Sequence, residues 1–363
     1  MEAAYDIVIA GAGMAGASLA ATIAGRARVL VLEAEERPGY HATGRSAAFW
    51  TESYGGPGVQ PLTTASGQRL KDLGVLKARG ALTLGRAGQE QEIAHFAEQF
   101  RAIGVEMHLL GREALVERVP GLREMWTCGA FEPSTCDIDV ARLHQHYLKE
   151  ARRAGAEIRC RAGLAAARRH DGAWRLELAD GRHVAAAVLV NAAGAWADGV
   201  ARLAGHSPLG IAPYRRTIAQ VAIGSDVPDD LPLVLDIAGQ FYFKPENGRL
   251  WLSPHDETPS APCDAAPEEF DVALAIDRLE QVLDTKVERV EHRWAGLRSF
   301  APDRLPVYGF AQGDPSFFWF AGQGGFGIQT APAAADLAAR LLLGEGPGAV
   351  DPTPYAPGRF SGA

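Results

Sequence analysis

Residues 5–16 read Tyr5-Asp6-Ile7-Val8-Ile9-Ala10-Gly11-Ala12-Gly13-Met14-Ala15-Gly16, and this stretch decides the fold. Tyr5 to Ala10 is a short β-branched run of the kind that forms a buried strand. It leads into a Gly-x-Gly-x-x-Gly spacing, after which Met14 to Ile23 reads as a helix of small residues. Val29 to Leu32 predicts a second apolar strand, closed by Glu33, 20 residues after Gly13. Strand, glycine turn, helix, strand and acid in this order form a dinucleotide-binding βαβ unit. Gly11 permits the tight turn, Gly13 lets the main chain approach a pyrophosphate, and Gly16 lets helix and strand pack closely. The helix start offers unpaired N–H groups and partial positive charge to phosphates. Glu33 can accept from ribose hydroxyls and repels a 2′-phosphate, which disfavours NADP. The fingerprint alone does not separate FAD from NAD.

Around this unit, a length of 363 residues argues for about two domains. Hydrophobic residues make up 47% and charged residues 22%, which excludes a disordered chain and a coiled coil. Acidic residues outnumber basic ones 44 to 36, the net charge is -8 and no long Lys/Arg run occurs, so nucleic acid and anionic membrane surfaces are poor partners. The four cysteines, at 128, 136, 160 and 263, form no CxxC pair and have no histidine at zinc spacing. No metal site is expected, and reduced thiols in a cytoplasmic protein fit best. The N-terminus carries no signal-peptide pattern. The longest nearly apolar run, Val184 to Trp196, contains Asn191 and falls short of the roughly 20 residues of a membrane span, so no transmembrane segment is expected and any membrane contact is peripheral.

Further along, Glu90 to Arg101 and residues 138–154 read as helices, and Glu157 to Arg161, Ala173 to Leu178 and Val188 to Val190 as strands, with Asp180-Gly181 marking a hairpin. The rest of 80–136 reads as Pro/Gly-punctuated loops. Thr217 to Ile223 and Phe241 to Leu252 alternate apolar and polar residues around Asn247-Gly248, which predicts an antiparallel sheet. A helix near Glu268 to Leu283, with Pro267 in its first turn, interrupts it. Phe317 to Phe320, a glycine loop and a helix over 331–343 return to the opening style. The fold class is therefore α/β. Segments 1–80, 138–212 and 302–363 are expected to build a Rossmann-like dinucleotide domain, and 81–137 and 213–301 an interleaved antiparallel-sheet domain for the substrate.

Five further stretches carry a family signal: Gly39-Tyr-His-Ala-Thr-Gly-Arg-Ser-Ala-Ala48, Asn191-Ala-Ala-Gly-Ala-Trp196, Phe241-Tyr-Phe-Lys-Pro245, Trp294-Ala-Gly-Leu-Arg-Ser-Phe300 and Gln323-Gly-Gly-Phe-Gly-Ile-Gln-Thr330. In these, and from residue 5 to 343, the chain resembles the D-amino acid oxidase superfamily of flavoproteins, most closely its D-arginine dehydrogenase branch. The resemblance implies FAD, held at Gly11, Gly13, Ala15, Gly16, Glu33, Ala34, Thr43, Gly44, Arg45, Ser46, Ala47, Ala48, Leu164, Ala193, Gly194, Trp196, Gly325, Gly327, Ile328, Gln329 and Thr330. With no cysteine after Cys263, non-covalent FAD is expected. The amides of Gly324 to Gly327 and the dipole of the following helix are expected to face the flavin's pyrimidine end, with Gln329 and Thr330 adding donors.

The same resemblance implies the substrate site. Arg298 matches the carboxylate-binding arginine, a role that suits a planar guanidinium fork. Tyr242 matches a tyrosine whose hydroxyl contacts that carboxylate. Arg216 is a second substrate contact, with Arg215 pointing the opposite way along the strand. Tyr54, ahead of Gly55-Gly56-Pro57-Gly58, holds the place of an active-site lid, and Gln329 joins the reacting site. Phe49 stands where the branch carries a histidine, and Gly80 to Leu84 lacks the carboxylate that pairs with a cationic substrate side chain. Both departures favour neutral or hydrophobic D-amino acids. The histidines at 41, 144, 146, 170, 183, 255 and 292 are read as structural or solvated, because an amino group arriving neutral needs no side-chain base.

The expected activity is FAD-dependent oxidative deamination of D-amino acids, with hydride passing from the α-carbon to flavin N5 and the imino acid hydrolysing to a 2-oxo acid and ammonia. The enzyme is then a D-amino acid dehydrogenase or oxidase, its final electron acceptor a quinone or O2. Oxidation of glycine, sarcosine, another secondary amine or a 2-hydroxy acid stands as the alternative. A flavin-binding sensor or assembly subunit, and an NAD-linked dehydrogenase, stand behind it.

Overall fold

The strand Ala4–Ala10 is buried almost continuously from Ile7 onward, as a strand with neighbours and helices on both sides must be. It lies between Val29–Leu32 and His183–Asn191, parallel to both. The helix Met14–Ile23 makes the crossover. In the computed structural model, which describes residues 4–224, 226–346 and 348–360, this sheet has eight strands. Glu157–Arg159 extends it beyond Val29–Leu32. On the other side the hairpin Leu164–His170 and Ala173–Leu178 pairs with the start of His183–Asn191, and Asp314–Ala321 runs parallel to its end. The helices Met14–Ile23 and Ala331–Leu343 bury Leu19, Ile23, Leu337 and Ala338 against Ile9, Val190 and Phe318 on one face. Trp174, Leu176, Phe317 and Trp319 form the core of the other face.

A second sheet has ten strands. Its spine is the long antiparallel pair Ala212–Ile223 and Val287–Phe300, which sets Tyr214 opposite Arg298 and Arg216 opposite Gly296. Arg249–Ser253 and Tyr242–Glu246 follow as the hairpin expected from Asn247-Gly248, whose φ angles of +52° and +71° are those of a type I′ turn. The antiparallel expectation fails at one seam: Ala81–Arg86 joins Leu233–Asp236 in parallel, and brings Trp126–Glu132 and His108–Gly111 with it. Residues 80–136 thus hold strands and a second helix, Arg112–Arg118, where the sequence predicted loops. Gly85 and Gly129 interrupt the alternation that would have revealed those strands.

Three smaller differences bear on the site. Pro267 precedes the N-cap Glu268 of the helix Glu269–Val282 instead of sitting in its first turn. Gln323–Gly324 pairs with Ser299 and Phe300, so the glycine loop expected within the nucleotide region also extends the edge of the second sheet. Phe49–Trp50, Leu76–Ala78 and Cys136–Ile138 form a third sheet of three strands.

Candidate active site

A cavity of about 660 Å³ runs from the first glycine turn to the second sheet, within the roughly 300–1,000 Å³ usual for ligand sites. Gly11, Gly13, Ala15, Glu33 and Ala34 wall one end. Gly11 has φ +107°, and a Cβ there would lie 2.4 Å from the Ala192 carbonyl oxygen, so only glycine fits. Gly16 is off the wall and packs instead: a Cβ there would meet the Gly11 carbonyl oxygen at 1.9 Å. Glu33 is 9% exposed and accepts from the amides of Ala12 at 3.1 Å and Glu35 at 3.0 Å, which leaves carboxylate lone pairs for a ligand. One expectation is corrected here. The Met14 N–H, first of the helix, donates to Thr43 Oγ1 at 2.9 Å and is already committed.

The middle of the cavity is lined by Thr43, Arg45, Ser46, Ala47, Leu164, Ala193, Gly194 and Trp196. The Arg45 guanidinium is spent on protein partners, the carbonyls of Ala265 at 2.8 Å and Ala295 at 3.3 Å and an ion pair with Asp264. Gly44 and Ala48 lie off the wall. The Gly44 amide closes a turn onto Gly39 at 2.9 Å, and the Ala48 amide donates to Ser46 Oγ at 3.1 Å. Cys263 and His41, by contrast, belong to the wall.

At the far end stand Gly325, Gly327 and Ile328 beside Arg216 and Arg298. Among the described residues the amides of Gly325, Gly327 and Ile328 donate to no protein acceptor, so a ring with acceptor atoms would be met by free donors. The side chains of Gln329 and Thr330 do not add to them. The Thr330 hydroxyl donates to the Phe326 carbonyl at 2.9 Å. Gln329, 2% exposed, donates from Nε2 to the Tyr54 carbonyl at 3.0 Å and to Thr63 Oγ1 at 2.9 Å, and accepts from the Thr51 amide at 3.4 Å. Its three bonds turn it away from the cavity and onto the segment that carries Tyr54. A bent dinucleotide ending in a polar, flat ring therefore fits the cavity along its length.

Arg298 Nη1 donates to Tyr54 Oη at 2.5 Å. No carboxylate pairs with Arg298 among the described residues. Burial alone would raise the Tyr54 phenol, but the Arg298 guanidinium beside it and Arg216 beyond bring it below the ordinary tyrosine value. The Tyr54 ring is held edge-on between Phe49, centroids 5.0 Å apart, and Phe326, 5.3 Å apart. The segment is thus packed and pinned rather than free, although Gly55 and Gly56, at φ +105° and +81°, have the backbone freedom expected of a lid.

Arg216, 3% exposed, donates from Nε to the Asp256 carbonyl at 2.7 Å and from Nη2 to Glu257 at 3.2 Å. Its Nη1 has no partner among the described residues, and neither has the buried hydroxyl of Tyr242. The guanidinium lies 5.9 Å from the Tyr242 ring centre, so both orphaned groups sit in one place. Arg215 points the opposite way, to Glu268 and Asp271, as strand alternation requires. Phe49 packs edge-on to Tyr242 in an apolar cluster with Ala81, Ile218 and Leu233.

His255, read as structural or solvated, also belongs to this cluster. It stands edge-on to Tyr242 at 5.7 Å, and its Nδ1 bonds the Gly239 carbonyl at 2.7 Å. Burial, then the charges of Arg216 and Arg298, push its pKa down to about 3, so it stays neutral. Register counting from Asn247-Gly248 sets Tyr242 opposite Ser253, but His255 lies beyond that strand with φ +56°, so alternation along the sequence does not reveal it. His144 meets its structural expectation, bonding the Ala12 carbonyl at 2.9 Å.

The family described as FAD dependent oxidoreductase matches residues 6–341. The chain is 30% identical to a glycine oxidase of Pseudomonas aeruginosa over 170 residues, 46% of the chain and 44% of that protein. It spans about half the length of the curated glycine oxidases it matches. Among solved structures, L-proline dehydrogenase from P. horikoshii superposes with a TM-score of 0.87 at 20% identity over 99% of both chains. Glycine oxidase from Geobacillus kaustophilus superposes with a TM-score of 0.85 at 23% identity over 98% of both. At these identities the likeness is one of fold.

Proposed function

Because the chain belongs to the family of FAD dependent oxidoreductases, we propose that it oxidises the Cα–N bond of a small amino acid, with neutral and hydrophobic D-amino acids preferred. The observation that carries this is Arg298: a guanidinium without a carboxylate partner among the described residues, in the same cavity as the dinucleotide turn. A substrate carboxylate supplies the missing charge, in the bidentate form a guanidinium favours. Tyr242 Oη and Arg216 Nη1 donate to the same end of the substrate, which resolves both orphaned donors. Ile218 on the cavity wall, backed by Phe49, Ala81 and Leu233, makes that end apolar and disfavours cationic groups.

FAD, when bound, supplies a two-electron acceptor. The glycine turn, Glu33, Thr43, Arg45, Ser46, Ala47 and the free amides of Gly325, Gly327 and Ile328 would hold it non-covalently. The protein's own part is to fix the carboxylate so that the α-hydrogen points along one direction only. His255 is held neutral and weakly basic and offers no strong base, so the amine reacts in its uncharged form. The imino acid leaves and hydrolyses in water to a 2-oxo acid and ammonia. A quinone or O2 then takes the electrons on.

A second reading, oxidation of glycine or a small secondary amine, is favoured by the likeness to glycine oxidases. Anaerobic mixing of the yellow protein with D- and L-alanine, D-leucine, glycine, sarcosine and a 2-hydroxy acid, followed at the flavin absorbance, separates them. Bleaching by D-leucine ahead of glycine is expected. Bleaching by glycine and sarcosine alone would replace the first reading with the second.

A further inference from the structure

We infer that Glu132 is a positioning residue for the carboxylate clamp, fixing together with Gln329 the segment that carries Tyr54; this rests on the proposed roles of Arg298 and Tyr54. Glu132 ends the strand Trp126–Glu132 and is 1% exposed. Its cross-strand partner is Ala81, which packs with Phe49 and Tyr242 in the apolar cluster. A carboxylate so buried is costly unless its lone pairs are filled. Here they are filled by the amide of Glu52 at 2.7 Å, the amide of Ser53 at 3.3 Å and Ser53 Oγ at 2.5 Å, while the one Ser134 hydroxyl is shared between Glu52 at 3.1 Å and Glu132 at 3.3 Å. No arginine or lysine pairs with it among the described residues. Its acceptor oxygens are therefore devoted to holding the main chain and hydroxyl of the Tyr54 segment.

That main chain is the pair of residues just before Tyr54. Gln329 takes the Thr51 amide and the Tyr54 carbonyl of the same segment. Residues 51–54 are thus gripped by two buried side chains, one from the second sheet and one from the turn that precedes the helix Ala331–Leu343. The segment then passes into Gly55 and Gly56, which cannot fix a conformation themselves. The grip determines where the Tyr54 hydroxyl meets Arg298, and so how the guanidinium fork is presented. Glu132 also explains a departure noted in the sequence. A carboxylate does stand beside the stretch from Gly80 to Leu84, but it comes from the neighbouring strand and is saturated by loop donors, so it is not offered to a cationic substrate.

Holoenzyme of Glu132→Gln, Glu132→Asp, Ser53→Ala and Arg298→Lys tests this by two readouts. One is the affinity for benzoate, a carboxylate with an apolar ring, followed by its perturbation of the flavin absorbance. The other is amide hydrogen exchange of residues 51–55. In Glu132→Gln the amide NH2 faces N–H donors, so benzoate affinity is expected to fall about tenfold and exchange to rise at least about tenfold at full flavin content. Glu132→Asp recovers part of both, and Ser53→Ala, which removes one donor and leaves the core intact, gives about a threefold change in the same direction. Wild-type benzoate affinity and wild-type exchange in both Glu132→Gln and Ser53→Ala would overturn the inference. If instead Arg298→Lys binds benzoate as tightly as wild type, the reading of the clamp fails, while exchange at 51–55 still decides whether Glu132 holds the segment.

Discussion

The glycine turn at 11–16 and the chamber around Arg298 open on one cavity but are built by opposite means. The turn is main chain: Gly11 and Gly16 lie where a Cβ would collide with backbone oxygens at 2.4 Å and 1.9 Å, and the contacts it offers are amides and a helix end. The chamber is side chain. Phe49, Tyr54, Glu132, Arg216, Tyr242, Arg298 and Gln329 come from distant segments; all but Glu132 contact another member of the set, and Glu132 bonds Glu52 and Ser53 just before Tyr54. A backbone site has to be written within a few consecutive residues, whereas a side-chain site can be spread over the whole chain.

Breaking the turn is expected to have the largest effect. Gly16→Val drives methyl groups into the Gly11 carbonyl, where backbone cannot yield, at a cost of about 3 kcal/mol or more. Both flavin content and Tm should fall, measured by flavin absorbance and thermal unfolding. A yellow Gly16→Val protein of wild-type Tm would mean that helix and turn do not pack as described. Arg298→Lys breaks the chamber alone: the ammonium keeps the charge and loses the fork, so kcat/KM should drop about 100-fold with flavin content unchanged.

This contrast also sets what could be read in advance. The βαβ opening, the Asn247-Gly248 hairpin and the helices Glu90–Arg101 and Ala331–Leu343 were legible because turn chemistry and hydrophobic period are local. Arg298, Tyr54 and Tyr242 were placed by resemblance, and the structure brings all three together. Glu132 and the true direction of Gln329 were not legible. Nothing in the sequence around Glu132 says that Ser53 lies against it, because the contact depends on the parallel seam that carries Ala81–Arg86 and Trp126–Glu132 into the sheet. The direction of the Gln329 side chain has the same origin, since a glutamine after a glycine loop has two sides to bond, and tertiary packing chose the Tyr54 segment.

The orphaned donors sharpen the chamber half of the comparison. Tyr242→Phe removes a buried hydroxyl that has no partner among the described residues, so it should cost about tenfold in KM while leaving Tm equal or slightly higher. A fall in Tm would show that the hydroxyl has a structural partner. Tyr54 gives the pH dependence. Its phenol lies below the ordinary value, chiefly through Arg298 once burial is overcome, so it loses its proton earlier than a free tyrosine as pH rises. The phenolate then competes with the substrate carboxylate for Arg298. The alkaline limb of kcat/KM should begin below pH 10, about the free tyrosine value, and Tyr54→Phe should remove it.

The smallest effect is expected where a side chain supports the backbone half. Arg45 lies on the cavity wall, and its guanidinium reaches across to Asp264 and to the carbonyls of Ala265 and Ala295. Its partner carboxylate is 61% exposed, so the ion pair itself is worth no more than about 1 kcal/mol. These carbonyl bonds, and one to Tyr40 at 3.3 Å, remain when that carboxylate is removed. Asp264→Ala should therefore weaken FAD binding by about two- to fivefold at low ionic strength, measured by fluorescence titration of apoprotein. At 1 M salt, where the screening length is about 3 Å, the difference from wild type should vanish. A tenfold or salt-independent loss would place Asp264 among the residues that shape the cavity, and the contrast between a main-chain cofactor site and a side-chain substrate site would no longer hold at its seam.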